Sequence, residues 1–176
     1  LSARLTELPM PAHDQDSPIQ RVTVSVVSHG QRDLVAALLE QITALRDPSL
    51  VLVVVVHNLP DVDLPKPQGA LFNLVQLHNT KPLGFAANHN LAFGYCKTPW
   101  FAVLNPDIEF PFGNPLPVLL EAMIDDDRLG AVAPALVQPG TLHIEPNRRI
   151  VTPWELVLRR LPGYKPPAEP DWLVGA

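Results

Sequence analysis

One cysteine, Cys96, is all that the chain carries, which excludes an internal disulfide framework and suits a reducing compartment. No apolar run reaches the roughly 20 residues of a membrane-spanning helix. Charge of one sign is never massed. The basic pairs Arg148-Arg149 and Arg159-Arg160 are the longest, and the net charge is −5. That balance speaks against nucleic acid as the main partner. No Gly-x-x-x-x-Gly-Lys-Ser/Thr and no Gly-x-Gly-x-x-Gly occurs, so a Walker ATPase and a typical dinucleotide dehydrogenase are excluded. There is no Gly-x-Ser-x-Gly elbow, and the six histidines have no zinc-ligand spacing. No signal-peptide pattern is visible. The chain starts without Met and stops at Val174-Gly175-Ala176, directly after an apolar run, and so reads as a fragment of a longer protein.

What is present is a globular composition. Apolar residues make up 47% of 176 residues, enough for one domain with a real core. Residues 1–20 are polar and aperiodic and read as a flexible arm; residues 21–176 read as the domain. Val22–Ser28 is a β-branched run and predicts a strand. Leu34, Leu38, Ile42 and Leu45 recur at helical spacing and predict a helix from about Asp33 to Leu45. Asp33 caps that helix or charges its first turn favourably. Leu50–Val56 is unbroken and β-branched, the mark of a strand buried on both faces. Leu59–Gly69, rich in Pro and Asp, is loop. Leu74–His78 predicts a strand, Phe85–Cys96 a helix, Trp100–Leu104 a buried strand, and Leu116–Ile124 a helix ended by Asp125-Asp126-Asp127. Ala131–Val137 predicts a strand interrupted by Pro134, and Pro153–Leu161 a short helix. Alternation of this kind implies an α/β fold, a mostly parallel sheet flanked by helices on both faces.

Three constellations could carry chemistry. Asn105-Pro106-Asp107 follows the last of the buried strands, and Pro106 stops that strand because it cannot donate to a ladder. Asp107 then sits past the carboxyl end of a central strand, where ligands of open α/β sheets bind. With Glu109 it could hold a hard divalent cation and, through it, a diphosphate; the plain alternative is a helix cap. His57-Asn58 ends the second strand and either meets a ligand or closes a turn on its own backbone. In the polar segment Asn79–Asn90, Gly84 takes φ > 0 or allows close backbone approach. A helix starting near Phe85 aims free N–H groups at whatever docks there; the alternative is an ordinary helix start with a solvated face. His29, His57, His78 and His89 fall near strand ends or a helix start, and either line one edge or are scattered on the surface. Cys96 reads as packing.

Taken together, these segments resemble the family 2 glycosyltransferases, especially the rhamnosyltransferase-like branch of bacterial cell-surface polysaccharide synthesis. The matching segments run in order: Val24-Ser25-Val26-Val27-Ser28-His29-Gly30, Val55-Val56-His57-Asn58, Leu83-Gly84-Phe85-Ala86-Ala87-Asn88-His89-Asn90, Leu104-Asn105-Pro106-Asp107, Gly130-Ala131-Val132-Ala133-Pro134 and Trp172-Leu173-Val174-Gly175-Ala176. The resemblance implies a GT-A (Rossmann-like) fold and an inverting hexosyltransferase-like enzyme. Its donor would be a nucleotide-diphosphate sugar of the UDP or dTDP type, and its acceptor a saccharide or a lipid-linked one. Ser28, His29, Gly30, His57, Asn58, Gly84, Phe85, Asn88, Asn90 and Asn105 would line the donor nucleotide. Asp107 would bind the divalent metal, Mg²⁺ or Mn²⁺. The resemblance also implies a cytoplasmic location, with peripheral association at the inner face of the plasma membrane. Two positions depart from the family pattern: His57 stands where the family has an acid, and His29-Gly30 where it has Tyr-Asn. The catalytic base is expected beyond Ala176. The alternative is a degenerate, non-catalytic GT-A domain that serves as a binding module, with Trp154, Leu156 and Leu158 as an apolar patch.

Overall fold

A computed structural model describes residues 20–137 and Arg160. The chain divides into two units, residues 1–114 and 115–176. The first holds β1 (Val22–Ser28), α1 (Arg32–Leu45), β2 (Leu50–His57), β3 (Asn73–His78), α2 (Phe85–Phe93) and β4 (Trp100–Leu104); the second holds α3 (Leu116–Asp125). The four strands form one sheet in the order β3-β2-β1-β4. Every pairing is parallel.

The topology places the helices. The β1-α1-β2 connection steps one way along the sheet, and β3-α2-β4 steps back the other way. Right-handed crossovers then put α1 and α2 on opposite faces. The side chains agree. Val54 and Val56 of β2 pack with Ala92 of α2, together with Val27, Leu77 and Phe101. The alternate residues Val22, Val24, Val26, Val53 and Val55 are buried, as are Val35, Leu38, Leu39 and Ile42 of α1. Both faces of β2 are therefore covered, as its unbroken apolar run requires.

Most boundaries fall within a residue or two of the sequence reading. α2 is shorter than expected: it ends at Phe93, and the next residues close tight turns, with the Tyr95 and Cys96 N–H groups bonding the Ala92 and Phe93 carbonyls. α1 has Gln31 as its N-cap without a side-chain cap bond, so Asp33 serves as first-turn charge only. The expected strand at Ala131–Val137 does not form. Residues 131–136 have no regular structure, and Val137 alone makes a bridge. Pro134, with no N–H to donate, sits in the middle of that segment. In the second unit α3 carries Pro117 in its first turn, where no N–H is needed. Beyond its end Asp126 accepts Arg128 Nε and Nη2 at 2.9 and 2.8 Å. That guanidinium holds the Asp126 carboxyl below its ordinary range. The arm expected at residues 1–20 (apart from Gln20), the helix expected at Pro153–Leu161 (apart from Arg160), the Trp154 patch and the Trp172–Ala176 segment lie outside the described residues.

Leu38 is 0% exposed between α1 and the sheet, whereas Leu34 on the same helix is 44% exposed. Leu38→Ala should cost about 2–5 kcal/mol of unfolding free energy, and Leu34→Ala under about 1 kcal/mol. Urea unfolding monitored by circular dichroism measures both.

Candidate active site

The strand order defines where a ligand would go. Connections leave β1 toward β2 and arrive at β4 from the opposite side, so the topological switch point lies between β1 and β4. In open α/β sheets the crevice outside the carboxyl ends at that point is the binding zone. The chain places Ser28, His29 and Gly30 at the end of β1, and Asn105, Pro106 and Asp107 at the end of β4. The last paired residues, Val26 with Leu104, fix that register. Gly30 turns the chain from β1 into α1 at φ +81°, a conformation that side chains rarely adopt.

Asn58 organises the neighbouring loops. It is 5% exposed. Its Nδ2 donates to the Leu83 carbonyl at 3.0 Å and to His29 Nδ1 at 2.9 Å. Its Oδ1 accepts the Leu83 N–H at 2.7 Å and Asn79 Nδ2 at 2.9 Å. Asn79 Nδ2 also reaches Asn88 Oδ1 at 2.6 Å, and Asn88 Nδ2 donates to the Leu83 and Gly84 carbonyls, each at 3.2 Å. Three amides thus tie the ends of β1, β2 and β3 to the loop that leads into α2. One consequence is chemical. His29 accepts the Asn58 amide at Nδ1, so the neutral ring carries its proton on Nε2, and the exposed ring offers that N–H to an incoming group. Asn58 and Asn88 themselves spend their polar atoms on protein partners.

The loop after β2 is held in the same way. Gln76 Oε1 accepts the Leu64 N–H at 2.8 Å, and its Nε2 donates to the Leu64 carbonyl at 2.9 Å. Arg32, at the start of α1, donates to the carbonyls of Val62 and Asp63. With Gln76 Oε1 fixed as an acceptor, His57 Nε2 must donate to it across 3.0 Å. His57 Nδ1, which bears the lone pair when the ring is neutral, is buried without a hydrogen-bond partner and faces Asp61 Oδ2 at 4.0 Å. His57 is 0% exposed, closed in beneath the loop rather than open at the crevice. Ser28, its register partner on β1, is also buried and leaves Oγ unpartnered.

His57, Asp63 and His78 bring their ligand-type atoms within 4.8 Å of one another, the one such group among the described residues. The His57 and His78 rings are stacked, with centroids 4.5 Å apart and planes 6° from parallel. Imidazole lone pairs lie in the ring plane, so two stacked rings do not converge on one ion. His78 Nε2 instead donates to Asp63 Oδ1 at 2.7 Å. Nitrogen-rich donors also favour borderline metals over Mg²⁺ or Mn²⁺. Asp107 is the better match to a hard cation. Its carboxylate is exposed and makes no hydrogen bond or ion pair among the described residues, which leaves its oxygens free. Glu109 is exposed two residues on.

The remaining expected positions separate. Phe85 is 54% exposed and Asn90 is exposed on the outer side of α2. Gly84 does not take a positive φ; it is the extended N-cap of α2 at φ −70°, and nothing lies within 4 Å of where a Cβ would project. His89 turns inward. Its Nδ1 bonds Ser25 Oγ at 2.7 Å, Phe85 packs edge-on against its ring, and its Nε2 is buried without a partner. The histidines therefore neither scatter nor line a single edge. A cleft of about 450 Å³ runs along the outer strand β3 beside Leu91 and Tyr95, on the far side of the sheet from β4. Gln76 was not singled out by the sequence and Asn79 only as part of a segment, because a side chain that bonds a distant backbone leaves no local pattern.

The open parallel sheet flanked by helices, with its polar loops gathered at the carboxyl edge, is consistent with the GT-A type of α/β fold of the family that the chain matches. The family model described as glycosyl transferase family 2 matches residues 23–170, and the chain belongs to that family. No curated protein matches the chain. Membership makes it a glycosyltransferase, and it implies a nucleotide-sugar donor and an acceptor.

Two outcomes follow from the buried polar groups. Asn58→Ala strands the Leu83 N–H and the Asn79 amide, and should cost about 2–4 kcal/mol in urea unfolding. Burial holds the His89 imidazole below its ordinary value of 6.5. Below that value the unfolded chain binds protons that the folded one resists. Stability should therefore be flat above pH 6.5 and fall as pH drops through it, by at most about 1.4 kcal/mol per pH unit from this group. Urea unfolding at pH 7.5 and 5.5 should show a smaller loss for His89→Gln than for the wild type; equal losses would refute the assignment.

Proposed function

We propose that this chain is the nucleotide-sugar-binding domain of an inverting transferase of the rhamnosyltransferase-like branch. In this reading residues 21–176 form the domain and residues 1–20 an arm before it. The donor is a UDP or dTDP sugar, the acceptor a saccharide or lipid-linked hydroxyl, and the setting the synthesis of bacterial surface polysaccharide. That setting would place the enzyme in the cytoplasm, at the inner face of the membrane; no described helix is long and apolar enough to cross one. The observation that carries the reading is the placing, across the β1/β4 switch point, of the His29-Gly30 turn and an exposed carboxylate, Asp107, that no group among the described residues engages.

Transfer breaks the bond between the anomeric carbon and the diphosphate oxygen as the acceptor oxygen bonds to the opposite face of that carbon. The hydroxyl proton passes to a base, for which no described carboxylate is assigned. The leaving diphosphate takes the bonding electron pair and gathers negative charge. A divalent cation held by Asp107 would supply neutralisation of that charge. His29 Nε2–H offers a hydrogen bond to the donor beside it, and the free N–H groups at the start of α2 suit an anionic or polar group. Asn58, Asn79 and Asn88 act one step back, since their bonds fix the loop and the His29 ring.

One observation favours a second reading, a non-catalytic GT-A domain that serves as a binding module. His57 is sealed beneath the loop and committed to Gln76. A ligand reaches its free Nδ1 only if that loop opens.

Titration calorimetry with UDP and dTDP, with and without Mn²⁺, separates the two. The donor-site reading expects one nucleotide to bind with Mn²⁺ and Asp107→Ala to weaken that binding by at least about tenfold, which is about 1.4 kcal/mol. Binding indifferent to Mn²⁺ and to Asp107, or no binding by the folded chain, would favour the module.

A further inference from the structure

We propose that Gln41 is a positioning residue for Asp107, holding the metal-binding carboxylate in place from the C-terminal half of α1. The proposal rests on the donor-site reading above. Gln41 is half-buried on α1, next in sequence to the core residue Ile42. Its carboxamide reaches across to the segment after β4. Nε2 donates to the Ile108 carbonyl at 3.4 Å, and Oε1 accepts the Phe110 N–H at 3.3 Å. Bonding the carbonyl of one residue and the N–H of the residue two further on is what the N–H and C=O of a single residue do in a neighbouring parallel strand. Gln41 therefore works as a single borrowed unit of strand where β4 has already ended.

The position of that bond gives it a function. Asn105-Pro106-Asp107-Ile108 closes a turn, with the Ile108 N–H on the Asn105 carbonyl at 3.4 Å and Pro106 fixing φ at its second residue. Asp107 is thus bracketed by the turn on one side and the Gln41 clamp on the other. Its own carboxylate touches no protein partner among the described residues. The backbone therefore sets where its Cβ projects and how far its oxygens can reach. Further along, Asp47 accepts the Asn114 side-chain amide, so the segment is pinned again past the turn closed by Gly113. A purely packing residue at position 41 would be apolar, as its neighbours Leu38, Leu39 and Ile42 are. A glutamine gives up side-chain freedom and hydration to hold those two backbone groups.

The test is UDP calorimetry across a Mn²⁺ series, with hydrogen exchange of the Phe110 amide measured in parallel, on the wild type, Gln41→Met, Asp107→Ala and the double variant. Methionine keeps the length of the side chain and removes both bonds. The proposal expects Gln41→Met to raise the Mn²⁺ needed for half-maximal UDP binding by about fivefold to tenfold. It also expects unchanged metal-free binding, faster Phe110 exchange, and no further effect in the Asp107→Ala background. A merely structural role would lower the melting temperature and leave the Mn²⁺ requirement where it was; that result overturns the proposal while Asp107→Ala still upholds the donor site. If the wild type binds UDP without any need for Mn²⁺, the donor-site reading itself fails and the proposal falls with it. If Gln41→Met does not fold, Gln41→Glu, which keeps an acceptor for the Phe110 N–H and loses the donor, takes its place in the same titration, with a smaller rise expected and an unchanged Mn²⁺ requirement again overturning the proposal.

Discussion

A parallel sheet ends all its strands at one edge, and the backbone groups of the loops there lose their ladder partners together. Satisfying those groups is the constraint on which the rest of this structure depends. Side-chain amides meet most of it. Asn58 fills both donors and both acceptor sites, and by doing so joins the ends of three strands to the loop before α2. Gln76 takes both backbone groups of Leu64 in the loop after β2. An amide suits this work because it is a peptide unit on a tether: it donates and accepts at once, and carries no charge that burial would penalise.

This arrangement divides labour among the polar residues. Most of those that are wholly or partly buried are committed, although Ser28 Oγ, His57 Nδ1 and His89 Nε2 are buried without a partner. Asn58, Asn79 and Asn88 bond one another and the loop, His57 bonds Gln76, and His89 bonds Ser25. Those that remain uncommitted, the Asp107 carboxylate and the outer nitrogen of His29, stand at the ends of β4 and β1. A group that is to exchange water for a ligand has to keep its lone pairs or protons free of the protein, and a group that fixes geometry has to give them up. Residue type alone does not decide which residue does which, since His57 and His89 are buried while His29 keeps an exposed outer nitrogen.

The elements were legible in the sequence because each buries a periodic or unbroken apolar pattern. The run Leu50–Val56 could only be a strand covered on both faces, and the spacing of Leu38 and Ile42 could only be a helix face. Asp107 was legible because Pro106 marks where β4 must stop. Segment 131–137 misled because its composition is that of a strand while Pro134 denies it a ladder. The committed state of Asn58 and the burial of His57 were not legible at all. Each depends on a partner 19 to 29 positions away in the chain, Gln76 for His57 and Leu83 and His29 for Asn58. Short motifs record which residues share a segment, and not which segment folds over them.

The imidazole stack shows how this decides chemistry. A cluster of two histidines and an aspartate has the composition of a borderline-metal site. Register alone brings His57 and His78 together, as neighbours across β2 and β3. Strand neighbours project their side chains side by side, which favours parallel rings, and parallel rings point their lone pairs along parallel lines. Gln76 then fixes the His57 tautomer, and Asp63 accepts the His78 Nε2–H hydrogen bond. A chelate would need the two rings to turn toward a common point, at the cost of the stack and of the Asp63 bond together. The same sheet geometry that gathers ligand-type atoms on one row thus keeps them from converging. In the donor site proposed above, the hard-cation role would fall to the carboxylate that stands outside the row, on a turn and not on the sheet.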